Sequence, residues 1–169
     1  DWVAQRLWLG SILFAAGAGV RWLAKRLDLH GSAATVAGLV YLASPYIVPY
    51  FGRTSALLLP WAALPWLIAF CARSLRERGW QAPALFALTC LVAGGINATS
   101  LLLVLIGPLL WVLHAVFVER EVTFRSAIWP LLRIGVLTLL TSVWWMAGLL
   151  MQGRYGINVL KYTETYETV

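Results

Sequence analysis

The sequence consists mostly of long apolar runs that are separated by short clusters of basic residues. Only 12% of its 169 residues are charged, whereas soluble domains carry about 25%. A water-soluble fold of this size cannot cover so much apolar surface with polar side chains. The sequence therefore predicts an all-α, polytopic transmembrane helical bundle, because a helix satisfies its own backbone hydrogen bonds in lipid.

Six apolar segments have about the length of a transmembrane helix, for which roughly 20 residues are needed. They cover residues 4–24, 32–50, 56–72, 82–96, 99–118 and 131–151, and the fourth is the shortest. Tryptophans concentrate near the predicted span ends, where indole rings suit the headgroup region. We expect residues 1–152 to form part of a larger membrane domain and residues 153–169 to begin a periplasmic segment.

Basic residues are concentrated in every second connection between the predicted spans. The three basic connections carry Arg21, Lys25 and Arg26, then Arg73, Arg76 and Arg78, then Arg120 and Arg125. The positive-inside rule places these clusters in the cytoplasm and both termini outside. This predicts a multi-pass protein of the plasma (inner) membrane. An external N-terminus without a signal peptide indicates an internal piece of a longer chain, with an odd number of spans upstream.

The net charge of +6 does not indicate nucleic-acid binding, because the basic residues form no continuous stripe. It fits contact with membrane lipids, and the basic connections also suit an acidic cytoplasmic partner such as an acyl carrier protein. Cys71 and Cys90 have no partners at metal-ligand spacing, and His30 and His114 are isolated in the sequence. No metal site is predicted.

The first candidate binding site lies around the end of the second predicted span. Four prolines fall in the outer halves of the second and third spans, at positions 45, 49, 60 and 65. Arg53 is the only charged residue of the short loop between them, and Tyr46 and Tyr50 lie one helical turn apart. One interpretation is an outer pocket in which Arg53 binds a lipid-linked phosphate. The other is an interfacial anchor with proline kinks used for packing.

Two further places combine aromatic and polar residues. Asn97 belongs to a weak glycosylation sequon. Its side chain can instead bind a sugar or cap the fifth span, and capping is favoured. Trp144 and Trp145 precede Arg154 and Tyr155, a combination that suits carbohydrate binding. An aromatic belt followed by a solvated loop explains the same residues equally well.

The chain resembles the mycobacterial arabinofuranosyltransferase D family of the GT-C glycosyltransferase superfamily. The resemblance extends over essentially the whole chain. Its clearest stretches are YLASP at 41–45, FGRTS at 51–55, LLPWAALPW at 58–66, GGINAT at 94–99, VWW at 143–145 and GRYG at 153–156. These sequence stretches are typical of one family and are not general catalytic signatures.

The resemblance implies transfer of arabinofuranose from decaprenyl-phosphate arabinose to cell-wall arabinan of arabinogalactan or lipoarabinomannan, with inversion, on the periplasmic face. It places the catalytic carboxylate in an external loop upstream of Asp1, so that no catalytic residue is expected in this chain. Arg53, Tyr46 and Tyr50 would then contact the donor, and Arg154 and Tyr155 are further candidates for the same role.

Two other classes of function compete with the transferase. A transporter or lipid flippase would also use broken helices and a lone outer arginine. However, no repeated half is visible, and no ionisable residue lies in the middle of a predicted span. A structural membrane subunit would use the basic connections for docking. The resemblance favours the transferase.

Overall fold

In the computed structural model, the described residues are 2–50, 54–94 and 98–156, and they form helices and no strand. The elements are α1 (Trp2–Arg26), α2 (Ser32–Leu42), a 3₁₀ helix (Pro45–Tyr50), a 3₁₀ turn (Ser55–Leu57), α3 (Leu58–Arg76), α4 (Gln81–Gly94), α5 (Ala98–Leu113), a π-helical turn (His114–Val118) and α6 (Phe124–Tyr155). The predicted all-α membrane bundle is confirmed.

Four helical stretches are long and apolar enough to cross a membrane: Trp2–Arg26, Ser55–Arg76, Thr99–Val118 and Phe124–Tyr155. The other two helices, α2 and α4, have 11 and 14 residues. At about 1.5 Å per residue they are shorter than the hydrocarbon core, which is about 30 Å thick. The six predicted segments therefore coincide with six helices, although two of these are short.

Two helix boundaries differ from the prediction by more than four residues. The second predicted span extended to residue 50, but α2 ends at Leu42 and a 3₁₀ helix follows from Pro45. Proline lacks the N–H that continues an α-helix and disfavours helical geometry in the residue before it. In contrast, α6 begins at Phe124, before the predicted residue 131, because the Thr123 side chain accepts a hydrogen bond from the Ser126 amide and caps the helix.

Helix α3 is the centre of the bundle and packs against α1, α4 and α5, with a smaller contact to α6. Its most apolar stretch is 61% buried, whereas those of the other three long helices are only 11–22% buried. The difference shows which helices present apolar side chains outward, where lipid can solvate them. Helix α3 is thus the most buried of the four long helices, and α1, α4 and α5 pack around it.

Helices α1 and α3 approach closely at a glycine. A Cβ atom at Gly19 would lie 2.5 Å from Trp66 Nε1 and 2.9 Å from Pro65 Cγ, so only glycine fits at this contact. The indole N–H of Trp66 donates a hydrogen bond of 2.9 Å to the carbonyl oxygen of Ala15. The ring of Trp22, which is also in α1, stacks on the Trp66 ring with centroids 5.4 Å apart. Together these contacts fix α1 against α3.

The carbonyl group that Pro65 leaves without a helical partner is satisfied by another helix. Pro65 lies inside α3 and has no N–H to donate to the Trp61 carbonyl oxygen, four residues earlier. The hydroxyl of Tyr41 in α2 donates to that oxygen over 2.8 Å, and the Tyr41 and Trp61 rings stack with centroids 4.7 Å apart. The prolines were evident from the sequence, but Tyr41 was not predicted as the partner of this carbonyl group.

We expect Tyr41→Phe to destabilise the contact between α2 and α3, since it leaves a buried carbonyl group unpaired at a cost of about 1–3 kcal/mol. In a Pro65→Ala background the cost becomes smaller, because the new amide at position 65 can bond the Trp61 oxygen. A double-mutant cycle on thermal unfolding of the full-length protein measures this coupling. Equal costs of Tyr41→Phe in both backgrounds would contradict the assignment.

Polar contacts connect distant chain segments at the end of the bundle that holds the basic connections. This end is called here the basic end. Arg76 at the end of α3 bonds Glu121 over 2.7 Å. Arg133 of α6 donates to the carbonyl oxygen of Gly79 over 3.2 Å and lies 5.0 Å from the Trp80 ring centroid. Helix α6 has 32 residues, a length of about 48 Å that exceeds the hydrocarbon core and lets its first turns project at this end.

Candidate functional site

The candidate site residues that the structure describes lie at the end of the bundle opposite the basic end. Tyr46 and Ser100 line one groove there, between α3 and the start of α5. Trp145 of α6 approaches the end of α4, where its Nε1 would lie 3.8 Å from a Cβ atom at Gly94. Chain segments that are distant in sequence thus meet at this end.

Tyr46 and Tyr50 are in contact, as their spacing predicted, with ring centroids 5.1 Å apart. They differ in environment. Tyr46 is 43% exposed and lines the groove of about 370 Å³ between α3 and α5. Tyr50 packs against the apolar cluster around Leu58 and Trp61. Tyr46 is therefore the member of the pair that an external ligand can reach.

Four further predicted site residues are Arg53, Asn97, Arg154 and Tyr155. Arg53 and Asn97 lie outside the described residues. Arg154 and Tyr155 are exposed in the last turn of α6, which continues beyond the predicted boundary at residue 152. Their roles, and the start of a periplasmic segment there, stay predictions.

A second cavity is an apolar slot of about 470 Å³ that runs between α5 and α6, called here the α5–α6 slot. Along α6 its lining extends from Leu131 to Met146, which corresponds to about 22 Å of helix. Leu105 and Leu109 of α5 form the opposite wall. A slot of this length and composition suits a hydrocarbon chain that lies along the bundle.

Three polar side chains of α6 line this slot: Thr138 midway along it, and Ser142 and Trp145 towards one end. Ser142 is 3% exposed, and its Oγ has no hydrogen-bond partner among the described residues. The same holds for Trp145 Nε1, one helical turn further along. A buried polar group without a partner costs about 1–3 kcal/mol. Thr138, Ser142 and Trp145 are therefore polar side chains beside the slot whose buried Oγ1, Oγ and Nε1 atoms are not hydrogen-bonded to any described residue.

The structure separates the two adjacent tryptophans that the sequence grouped together. Trp145 lines the α5–α6 slot, whereas Trp144 is 58% exposed and does not line it. Ser142 was missed by the sequence prediction. The signal that identifies it is helical spacing, because Thr138, Ser142 and Trp145 lie on one face of an otherwise apolar helix.

No metal centre is visible in the part of the chain that the structure describes, since no three histidine, cysteine or acidic side chains come together there. Cys71 and Cys90 are both buried and free. The polar chemistry of the described site therefore resides in hydroxyl and indole groups beside apolar grooves.

The fold and the slot define a polytopic helical membrane protein with a site suited to a lipid ligand. The profile of the N-terminal GT-C domain of alpha-(1->3)-arabinofuranosyltransferases matches residues 1–169, the entire chain. The chain therefore belongs to this family of GT-C glycosyltransferases. This confirms the family that the sequence resemblance identified.

A curated relative, the alpha-(1->3)-arabinofuranosyltransferase of Mycolicibacterium smegmatis (strain ATCC 700084 / mc(2)155), is 28% identical to the chain over 171 aligned positions. The alignment covers 97% of this chain and 11% of the relative, so the chain spans about one ninth of that protein's length. No solved structure matches the chain.

Proposed function

We propose that this chain is part of the membrane domain of an arabinofuranosyltransferase that uses a lipid-linked donor, decaprenyl-phosphate arabinose. The acceptor is cell-wall arabinan, of arabinogalactan or lipoarabinomannan, and transfer proceeds with inversion on the periplasmic face. The observation that carries the proposal is family membership over residues 1–169. Family membership gives the reaction class, and the cavities of the bundle support the lipid nature of the donor.

The α5–α6 slot supports a lipid-linked donor because its walls are mostly apolar along about 22 Å of α6, with Ser142 and Trp145 towards one end. An isoprenoid chain needs the apolar length, and the phosphate and sugar need hydrogen-bond donors. Ser142 Oγ and Trp145 Nε1 supply two donors from one face of α6. In this arrangement the tail lies along the slot and the head group lies near the end of α4.

The remaining residues of the proposal act around that head group. Arg53 binds the donor phosphate, Tyr46 contacts the donor from the neighbouring groove, and Tyr50 supports the Tyr46 ring. Asn97 caps α5 or contacts sugar, and Arg154 with Tyr155 contacts donor or acceptor. The general base belongs to an external loop before residue 1. Nothing in the described residues shows a metal requirement, and the acidic cytoplasmic partner stays a prediction.

The matched pair Trp145→Phe and Trp144→Phe tests the placement of the donor. Phenylalanine keeps an aromatic ring but lacks the N–H group. We expect Trp145→Phe to lower kcat/KM for decaprenyl-phosphate arabinose about tenfold, the value of one hydrogen bond of about 1.4 kcal/mol. Trp144→Phe keeps the activity, because that side chain is outside the slot.

Both variants are made in the full-length protein, and detergent-solubilised samples are compared by thermal unfolding. A loss of activity with unchanged unfolding temperature for Trp145→Phe alone supports the slot as the donor site. If both variants lose activity equally, or Trp145→Phe loses none, the donor does not contact this N–H group.

A further inference from the structure

Another groove, of about 470 Å³, lies between α1 and α2, and Trp66 of α3 contributes to its lining. Its other walls belong to helices on the opposite side of α3 from the α5–α6 slot. Phe14 beside it is 77% exposed, and Leu39 is 61% exposed. The groove therefore opens on the outer surface of the described bundle.

The groove is apolar over most of its length and basic at one end. Leu13 and Leu42 line the apolar part, while Arg21 and Lys25 line the part nearest the basic end of the bundle. Thr35, from the first turn of α2, adds a hydroxyl beside these cations. From Leu13 to Lys25 the helix rises about 18 Å, close to the depth of one leaflet, which is about 15 Å.

Arg21 and Lys25 are one helical turn apart on the same face of α1, and neither forms an ion pair with an acidic side chain among the described residues. Two other cations of the basic end pair with acidic side chains of the protein. Arg73 pairs with Glu77 over 2.6 Å, and Arg76 pairs with Glu121. Two adjacent unpaired cations repel each other, and a shared anion between them removes that repulsion.

We propose that this groove binds one anionic phospholipid from the leaflet at the basic end. Its phosphate lies between Arg21 and Lys25, and one acyl chain lies along the apolar wall formed by α1 and α2. Basic residues at headgroup depth beside a gap between transmembrane helices are suited to anionic lipids. The site is independent of glycosyl transfer and is at the opposite end of the bundle from the proposed donor head group.

The test measures lipid retention by native mass spectrometry on the full-length protein purified in mixtures of phosphatidylglycerol and phosphatidylcholine. The wild type is expected to retain phosphatidylglycerol preferentially. The double variant Arg21→Gln/Lys25→Gln is expected to bind it roughly thirtyfold more weakly, which corresponds to about 1 kcal/mol for each basic residue. The control Arg78→Gln/Arg125→Gln removes the same charge at the basic end outside the groove and is expected to retain the lipid.

A further measurement distinguishes an intact phospholipid from a free phosphate ester as the bound anion. Glycerol phosphate, which has the headgroup chemistry but no acyl chains, is expected not to displace the lipid. Equal loss in both double variants would overturn the proposal in favour of a general surface charge effect. No preference for phosphatidylglycerol in the wild type, or full displacement by glycerol phosphate, would also overturn it. Each variant's unfolding temperature is measured in phosphatidylcholine alone, where the variants and the wild type are expected to agree.

Discussion

The variant Gly135→Leu is expected to lower transfer from decaprenyl-phosphate arabinose by roughly 10- to 100-fold. Gly135 lines the α5–α6 slot, and a Cβ atom there meets no protein atom within 4 Å. The Cβ atom of a larger side chain at this position therefore enters open space beside the slot. The loss arises because the lipid tail and the new side chain compete for the same volume, and overfilling of a packed site costs about 1–3 kcal/mol.

The matched control is Gly148→Leu in the same helix. Gly148 also has open space at its Cβ position, and it does not line the slot. Both substitutions replace a glycine inside a helix with leucine, which favours helix formation by about 1 kcal/mol. Folding is therefore expected to be preserved in both, and only Gly135→Leu is expected to reduce transfer.

A short-chain donor separates a blocked slot from other damage. If the isoprenoid tail occupies the slot, arabinosyl phosphate on a chain of two or three isoprene units loses less in Gly135→Leu than the decaprenyl donor loses. The measured quantity is the ratio of kcat/KM for the two donors. An equal loss with both donors, or the same loss in Gly148→Leu, would contradict the assignment of the slot to the donor tail.

The substitution Gly19→Ala is expected to be the most destabilising single change among those considered. The added Cβ atom would lie 2.5 Å from Trp66 Nε1 and 2.8 Å from Trp66 Cδ1. The indole must move, which breaks its hydrogen bond to the Ala15 carbonyl oxygen. Overpacking costs about 1–3 kcal/mol, and the lost hydrogen bond adds about 0.5–1.5 kcal/mol.

The two buried cysteines provide a local measurement of this change. Cys71 and Cys90 are 2% and 0% exposed, so a thiol reagent reaches them only when the bundle opens. Gly19→Ala is expected to raise the labelling rate of Cys71 by roughly 10- to 100-fold, as followed by peptide mass spectrometry of the full-length protein. Gly10→Ala is the control, because a Cβ atom at Gly10 meets nothing within 4 Å. Equal rates in the two variants would show that the α1–α3 contact does not limit opening.

Most of the fold follows from the sequence because hydrophobicity and charge set the positions of membrane helices. The end of α2 was misplaced, since the apolar run continues past Leu42 while Pro45 stops the α-helix. The early start of α6 was missed because Thr123 caps a turn that precedes the apolar run.

The candidate site was less predictable, because apolar helices in lipid give little periodic signal about which face is inside. The contact of Tyr46 with Tyr50 followed from spacing along one helical turn. The different directions of Trp144 and Trp145 did not, since adjacent residues reveal no orientation without the position of α5. The hydrogen bond from Tyr41 to Trp61 joins residues 20 apart in sequence and depends on how α2 meets α3.

The full-length protein is expected to transfer arabinofuranose from a lipid-linked donor. Its most direct test supplies the purified protein in lipid nanodiscs with decaprenyl-phosphate arabinose and an arabinan oligosaccharide, followed by mass spectrometry and NMR of the product. The expected product is an acceptor extended by arabinofuranose, with its anomeric configuration inverted relative to the donor. A protein that binds the donor or moves it across the bilayer, but leaves the acceptor unextended, would contradict the account and favour a transporter or flippase.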